Sequence, residues 1–89
     1  MITTTVRVMN RAGLHTRPAA MLVKVAAQFK SEMYLIRDGF NINAKSIIGV
    51  MTLAAEQGCE LGLHVEGPDE VAAAKAMEDL FSGGFGEQL

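Results

Sequence analysis

Residues 2–9, Ile2-Thr3-Thr4-Thr5-Val6-Arg7-Val8-Met9, alternate between two kinds of side chain. On an extended chain Ile2, Thr4, Val6 and Val8 share one face, and Thr3, Thr5 and Arg7 share the other. This period of two, rich in β-branched residues, predicts a strand with one apolar side. Residues 60–66 repeat it, with Leu61, Leu63 and Val65 inward and Glu60, Gly62 and His64 outward. Between them lie two further extended runs, Glu32 to Arg37 and Phe40 to Asn43, joined by Asp38-Gly39. A two-residue Asp-Gly loop is a strong hairpin signal, because both central residues need positive φ. Strands with one apolar and one mixed side make an antiparallel sheet that is covered on a single face.

The segments between the strands read as helices. Pro18 suits a first-turn position, since its missing N–H would be unpaired there anyway. Ala19, Leu22, Val23, Ala26 and Phe29 or Lys30 follow the spacing of a core-facing stripe, and Arg17, Ala20, Met21, Lys24 and Gln28 lie opposite. Ser46 opens a short helix that runs to about Leu53. Gly67-Pro68-Asp69 turns into a last helix, Glu70 to about Ser82, with a stripe of Ala73, Ala74, Met77, Leu80 and Phe81, and Gly83-Gly84 stops it. The order is βαββαβα. The expected fold is an α/β (α+β) open-faced sandwich: four antiparallel strands covered on one face by three helices. Residues 1–89 form one domain, whose glycine-rich tail, 83–89, is expected to be mobile.

Composition narrows the function. With 49% hydrophobic and 20% charged residues, the chain reads as an ordinary folded domain. A net charge of −2 lacks the basic excess of a nucleic-acid surface. No apolar run approaches the roughly 18 residues of a membrane span. The single cysteine, Cys59, cannot form an internal disulfide, so a reducing cytoplasm is the expected setting. His15, His64 and Cys59 lack the paired spacing of a zinc site, and neither metal nor cofactor is expected.

Chemistry concentrates in Ala12-Gly13-Leu14-His15-Thr16-Arg17-Pro18-Ala19-Ala20. His15 falls at the N-cap of the first helix or just before it. The first N–H groups of a helix lack intrahelical partners and carry the positive end of its dipole, which favours a phosphate. The same field disfavours imidazolium and leaves a ring nitrogen free as a nucleophile. Arg17 offers charge-assisted bonds to phosphoryl oxygens, and Gly13 permits close approach. Two plainer readings stand beside this one: His15 as a mere helix cap in an interaction module, and His15 with Arg17 in a small enzyme. The enzyme would need a concave pocket, yet no lid, metal set or second acid/base group is apparent.

The block Asn10-Arg11-Ala12-Gly13-Leu14-His15-Thr16-Arg17-Pro18-Ala19-Ala20 closely resembles the active-site signature of the HPr family, histidine-containing phosphocarriers of the bacterial phosphoenolpyruvate:sugar phosphotransferase system. A second block, Asn43-Ala44-Lys45-Ser46-Ile47-Ile48-Gly49-Val50-Met51-Thr52-Leu53, resembles that family's serine-site region, and the resemblance extends over residues 2 to 83. It implies that His15 takes a phosphoryl group on Nδ1 from phosphorylated enzyme I and passes it to an enzyme IIA domain, with Arg17 steadying the group. Such a carrier is modified stoichiometrically and is not an enzyme. It also implies regulation at Ser46 by HPr kinase/phosphorylase, although serine is by itself a favoured N-cap. A paralogue serving a nitrogen-related or purely regulatory branch is the alternative within the family.

Face counting on the short helix puts Val50 and Leu53 inward and leaves Ile47, Ile48 and Met51 at least partly outward. With Ala20 and Met21 on the exposed side of the first helix, they are expected to form an apolar docking patch beside His15. Lys24 and Arg17 would steer acidic partners toward it. Family members often have a further lysine at the place of Ala27. The protein is expected to be a monomer that binds neither nucleic acid nor membrane.

Overall fold

A computed structural model describes residues 1–89. Its elements are β1 (Ile2–Arg7), α1 (Thr16–Ala26), β2 (Glu32–Arg37), β3 (Phe40–Asn43), α2 (Ile47–Thr52), β4 (Glu60–Glu66) and α3 (Glu70–Ser82), followed by a 3-10 turn at Gly84–Gly86. The sheet is antiparallel throughout, in the order β1-β4-β2-β3. The last strand in sequence therefore inserts between the first two. Leu63 is the hinge of the register, paired with Thr4 on one side and Leu35 on the other.

Alternation decides what each face does. Val6, Val8, Met33, Leu35, Leu61, Leu63 and Val65 are buried beneath the helices. Thr3, Thr5, Arg7 and Glu60 stand exposed on the open side, where the half-buried His64 packs edge-on to Tyr34 at a centroid distance of 6.2 Å. The helices contribute Ala19, Leu22, Ala26, Val50, Ala73, Ala74, Met77 and Phe81 to the same core. Of the expected stripe residues, Val23 and Leu80 are half-buried at its margin. Phe29, rather than the exposed Lys30, completes the first stripe, from the turn after α1.

The turns follow their chemistry. Asp38 and Gly39 adopt φ of 49° and 83°, the positive values that a two-residue hairpin demands. Ser46 caps α2, its hydroxyl accepting from the Gly49 N–H at 3.1 Å. Losing an N-cap hydroxyl costs about 1 kcal/mol, so Ser46→Ala should lower the thermal midpoint by about 4–8 °C. An unchanged midpoint in a melting curve would show that the cap is dispensable.

Asp69 ties α3 to the segment before β2. Its carboxylate accepts from the Ser31 hydroxyl and from the backbone N–H groups of Lys30 and Ser31, both at 2.9 Å. The Ser31 hydroxyl, then the Lys30 N–H, hold the carboxyl down from its ordinary 3.8 to about 2. A value depressed in the folded state gives stability that is complete above the ordinary value and lost as pH falls through the folded one. The thermal midpoint should therefore drop between about pH 4 and pH 2, and Asp69→Asn should flatten that part of the profile. Identical acid profiles for the two proteins would refute this role.

The tail has fixed contacts at its start and at Glu87. Part of residues 83–89 docks on the domain: Gly84 and Phe85 are buried, and Phe85 meets Phe81 edge-on at 5.0 Å, whereas Gly83, Gly86, Gln88 and Leu89 are exposed. The Arg11 N–H donates to the Gln88 carbonyl at 2.8 Å, and the Glu87 N–H to that of Gly84 at 2.9 Å. Burial of the aromatic side chain, together with the bonds this segment makes to Asn10, Arg11 and His15, offsets part of the entropy of ordering it.

Candidate functional site

The loop between β1 and α1 is shaped to deliver His15 to the helix end. Gly13 has φ of 76°, and a Cβ there would lie 2.7 Å from the Ala55 carbonyl oxygen. Only glycine fits so close to a neighbouring backbone in that conformation. Leu14 is buried, and its N–H donates to the same Ala55 carbonyl at 2.9 Å. The loop is thus pinned on both sides of Gly13, and His15 follows as the N-cap of α1 in an extended conformation.

His15 does not use its ring as a cap. No side-chain cap bond is made at the start of α1, so the capping interpretation fails on geometry. The first intrahelical bond runs from the Ala19 N–H to the His15 carbonyl at 3.0 Å. Pro18 has no N–H, so Thr16 and Arg17 supply the free donors of the first turn. Arg17 is exposed and forms no ion pair. An uncommitted guanidinium and two open N–H groups beside an imidazole form a local anion-binding surface.

The ring's partner comes from the tail. His15 Nε2 lies 3.0 Å from Oε1 of Glu87, with the histidine side chain 44% exposed and the glutamate 11%. The same Oε1 accepts from the Asn10 side-chain amide at 3.0 Å, and that amide also donates to the Gly13 carbonyl at 2.8 Å. The His15 hydrogen bond, followed by that of Asn10 and the nearby positive charges of His15 and Arg17, keeps the Glu87 carboxyl below its usual range, against the opposing effect of burial. Arg11, Ala12, His15, Arg17, Gly86, Glu87 and Gln88 line one open depression. No three His, Cys, Asp or Glu side chains are grouped closely enough to hold a metal ion.

The structure places His15 and Arg17 together at the start of α1, with Ser46 at the start of α2, and these two helices pack against each other. Ile48 is 76% exposed, and Ile47, Met51, Ala20 and Lys24 are also exposed. Met21 differs from expectation: it is half-buried and packed against the core. Glu87 and Asn10 were not recognised from sequence. The available signal was Phe85, an anchor-type residue in an otherwise glycine-rich tail, with an acidic residue two places beyond it.

This fold and site define a small protein that presents an accessible imidazole beside an arginine at a helix N-terminus. Comparison with known proteins makes the class definite. The family described as "PTS HPr component phosphorylation site" matches residues 2–83. The phosphocarrier protein HPr of Treponema pallidum (strain Nichols) is 57% identical over 88 residues, covering 99% of this chain and 100% of the relative. The crystal structure of HPr-C-His from Thermoanaerobacter tengcongensis superposes with a TM-score of 0.95 at 44% identity, over 100% of both chains. An HPr dimer from the same organism matches with a TM-score of 0.76 at 42% identity, over 98% of this chain and 100% of the other. The chain belongs to the HPr family, the phosphocarriers of the phosphotransferase system.

Proposed function

We propose that His15 is the phosphoryl acceptor, taking the group on Nδ1 from phosphorylated enzyme I and yielding it to an enzyme IIA domain. The observation that carries this reading is the exposed ring at an uncapped helix start, next to the unpaired Arg17. In acceptance the Nδ1 lone pair forms a bond to phosphorus. The donor's P–N bond breaks and its electron pair returns to the donor nitrogen. Arg17 and the free N–H groups of Thr16 and Arg17 neutralise charge on the phosphoryl oxygens, so the protein contributes mainly position and electrostatics. The carrier itself turns over no substrate.

Ala20, Met21, Lys24, Ile47, Ile48 and Met51 are read as the docking surface for these partners. The side-by-side packing of α1 and α2 and the exposure of Ile48 support that reading. Ser46 is read as a second, regulatory site for HPr kinase/phosphorylase. A phosphate there would add charge beside the exposed Ile47 and Ile48 and hinder docking of acidic partners. The setting proposed is the cytoplasm and the working form a monomer, for which sedimentation should give a single species of 9.5 kDa. No helix is long and apolar enough to cross a membrane.

Incubation with phosphoenolpyruvate and enzyme I tests the acceptor. The expected product is an acid-labile, base-stable phosphate on the protein, and no labelling would overturn the reading. For Ser46, HPr kinase and ATP should give an acid-stable phosphate that Ser46→Ala cannot accept. Labelling of the variant to the same extent would remove Ser46 from the scheme.

A further inference from the structure

We infer that Glu87 is a positioning residue for phosphoryl transfer, holding His15 through a bond from Nε2–H so that Nδ1 is the nucleophile. The inference rests on the reading of His15 as acceptor and assigns a role to the C-terminal segment. A carboxylate only accepts hydrogen bonds, so the ring nitrogen that faces it at 3.0 Å carries the proton. In a neutral imidazole the other nitrogen, Nδ1, then holds the lone pair. As Nδ1 bonds to phosphorus the ring gains positive charge, and the Glu87 carboxylate lies where it offsets that charge. The Nε2 proton stays in place throughout.

The carboxylate is itself firmly held. Burial of Phe85 against Phe81 anchors the segment, and the bond from the Arg11 N–H to the Gln88 carbonyl closes it beyond Glu87. Asn10 joins the two halves of the device, because one amide group donates both to Glu87 and to Gly13, two residues before His15. Asn10 is fully buried and its amide oxygen has no partner. A buried unsatisfied acceptor is costly, so the residue's placement is governed by its two donations. One side chain thereby ties Glu87 to the loop that delivers His15.

Glu87→Leu removes the acceptor at similar volume, and Glu87→Gln keeps an acceptor oxygen but removes the charge. The first readout is a long-range proton–nitrogen NMR spectrum of the unphosphorylated, 15N-histidine-labelled proteins at about pH 8.5, above the ordinary histidine range. The parent should show a single Nε2–H species with a downfield, hydrogen-bonded proton. Glu87→Leu should lose that proton and move both ring nitrogens toward tautomer averaging, and Glu87→Gln should retain most of the parent pattern. The second readout is the rate of phosphoryl acceptance from phosphorylated enzyme I. It should fall about tenfold in Glu87→Leu, as for loss of other orienting partners of a histidine, and less in Glu87→Gln. Unchanged ring-nitrogen shifts or an unchanged rate in Glu87→Leu would overturn the inference. If the parent protein takes no phosphate from phosphorylated enzyme I, the carrier reading fails instead, and the NMR result still reports the ring's hydrogen bond.

Discussion

His15→Ala should reduce the acid-labile phosphate on the protein to background while leaving the fold intact. The two halves of this expectation have separate causes. Phosphoryl acceptance needs a nitrogen lone pair at the helix start, and no other group there supplies one: a guanidinium such as that of Arg17 has donors and no acceptor, and Glu87 is held as a carboxylate. The second histidine, His64, is on the open side of the sheet beside Tyr34, whereas the helices cover the other side. It cannot substitute from there. Stability should fall only modestly: the His15 ring is 44% exposed and makes no cap bond, and its removal leaves the Glu87 carboxylate with the Asn10 amide as its remaining partner. The backbone carbonyl at position 15 still accepts from Ala19 after the change. Labelling with phosphoenolpyruvate and enzyme I, next to a melting curve, measures both halves. Residual labelling at the parent level would place the acceptor elsewhere, and a collapse in stability would mean that the ring is part of the scaffold.

Leu63→Ala should produce the largest loss of stability. Leu63 is fully buried at the centre of β4, with β1 on one side and β2 on the other. Removing a leucine side chain from such a site costs roughly 3–4 kcal/mol through lost transfer energy and the cavity left behind. A chain of 89 residues has about 4–13 kcal/mol in total, so the variant would lose a large share of it. The thermal midpoint should fall by about 15–25 °C. Leu63→Met, which nearly conserves volume, should cost less than about 1.5 kcal/mol. Chemical denaturation with an unchanged slope would confirm that folded stability has altered. A shift below about 1 kcal/mol would mean that the sheet centre relaxes to fill the gap.

How much of this was legible in the sequence depended on the range of the interactions. Alternation in Ile2 to Val8 and in Glu60 to Glu66 predicts both strands and their buried faces, because a pleated chain has a fixed period of two. Asp38-Gly39 predicts its turn from local backbone sterics, and Ser46 its cap from one hydroxyl three residues from its donor. Met21 shows where such reasoning weakens. Its position on the helix wheel is outward, yet it packs partly against the core, within the reach of a long flexible side chain at the margin of a stripe.

By itself the sequence determined the order of elements, the apolar face of each strand, and a histidine and arginine at the start of α1. These follow from periodicity, glycine and proline sterics, and helix-end electrostatics, all of which act within a few residues. Only the tertiary structure decided that β4 lies between β1 and β2, since strand order depends on how distant apolar faces pack together. It alone brought Glu87 across 72 positions to the ring of His15. That contact depends on the tail docking against the loop before α1, where Asn10 reaches Glu87 across 77 positions and the Arg11 N–H reaches the Gln88 carbonyl, pairings that no local rule specifies.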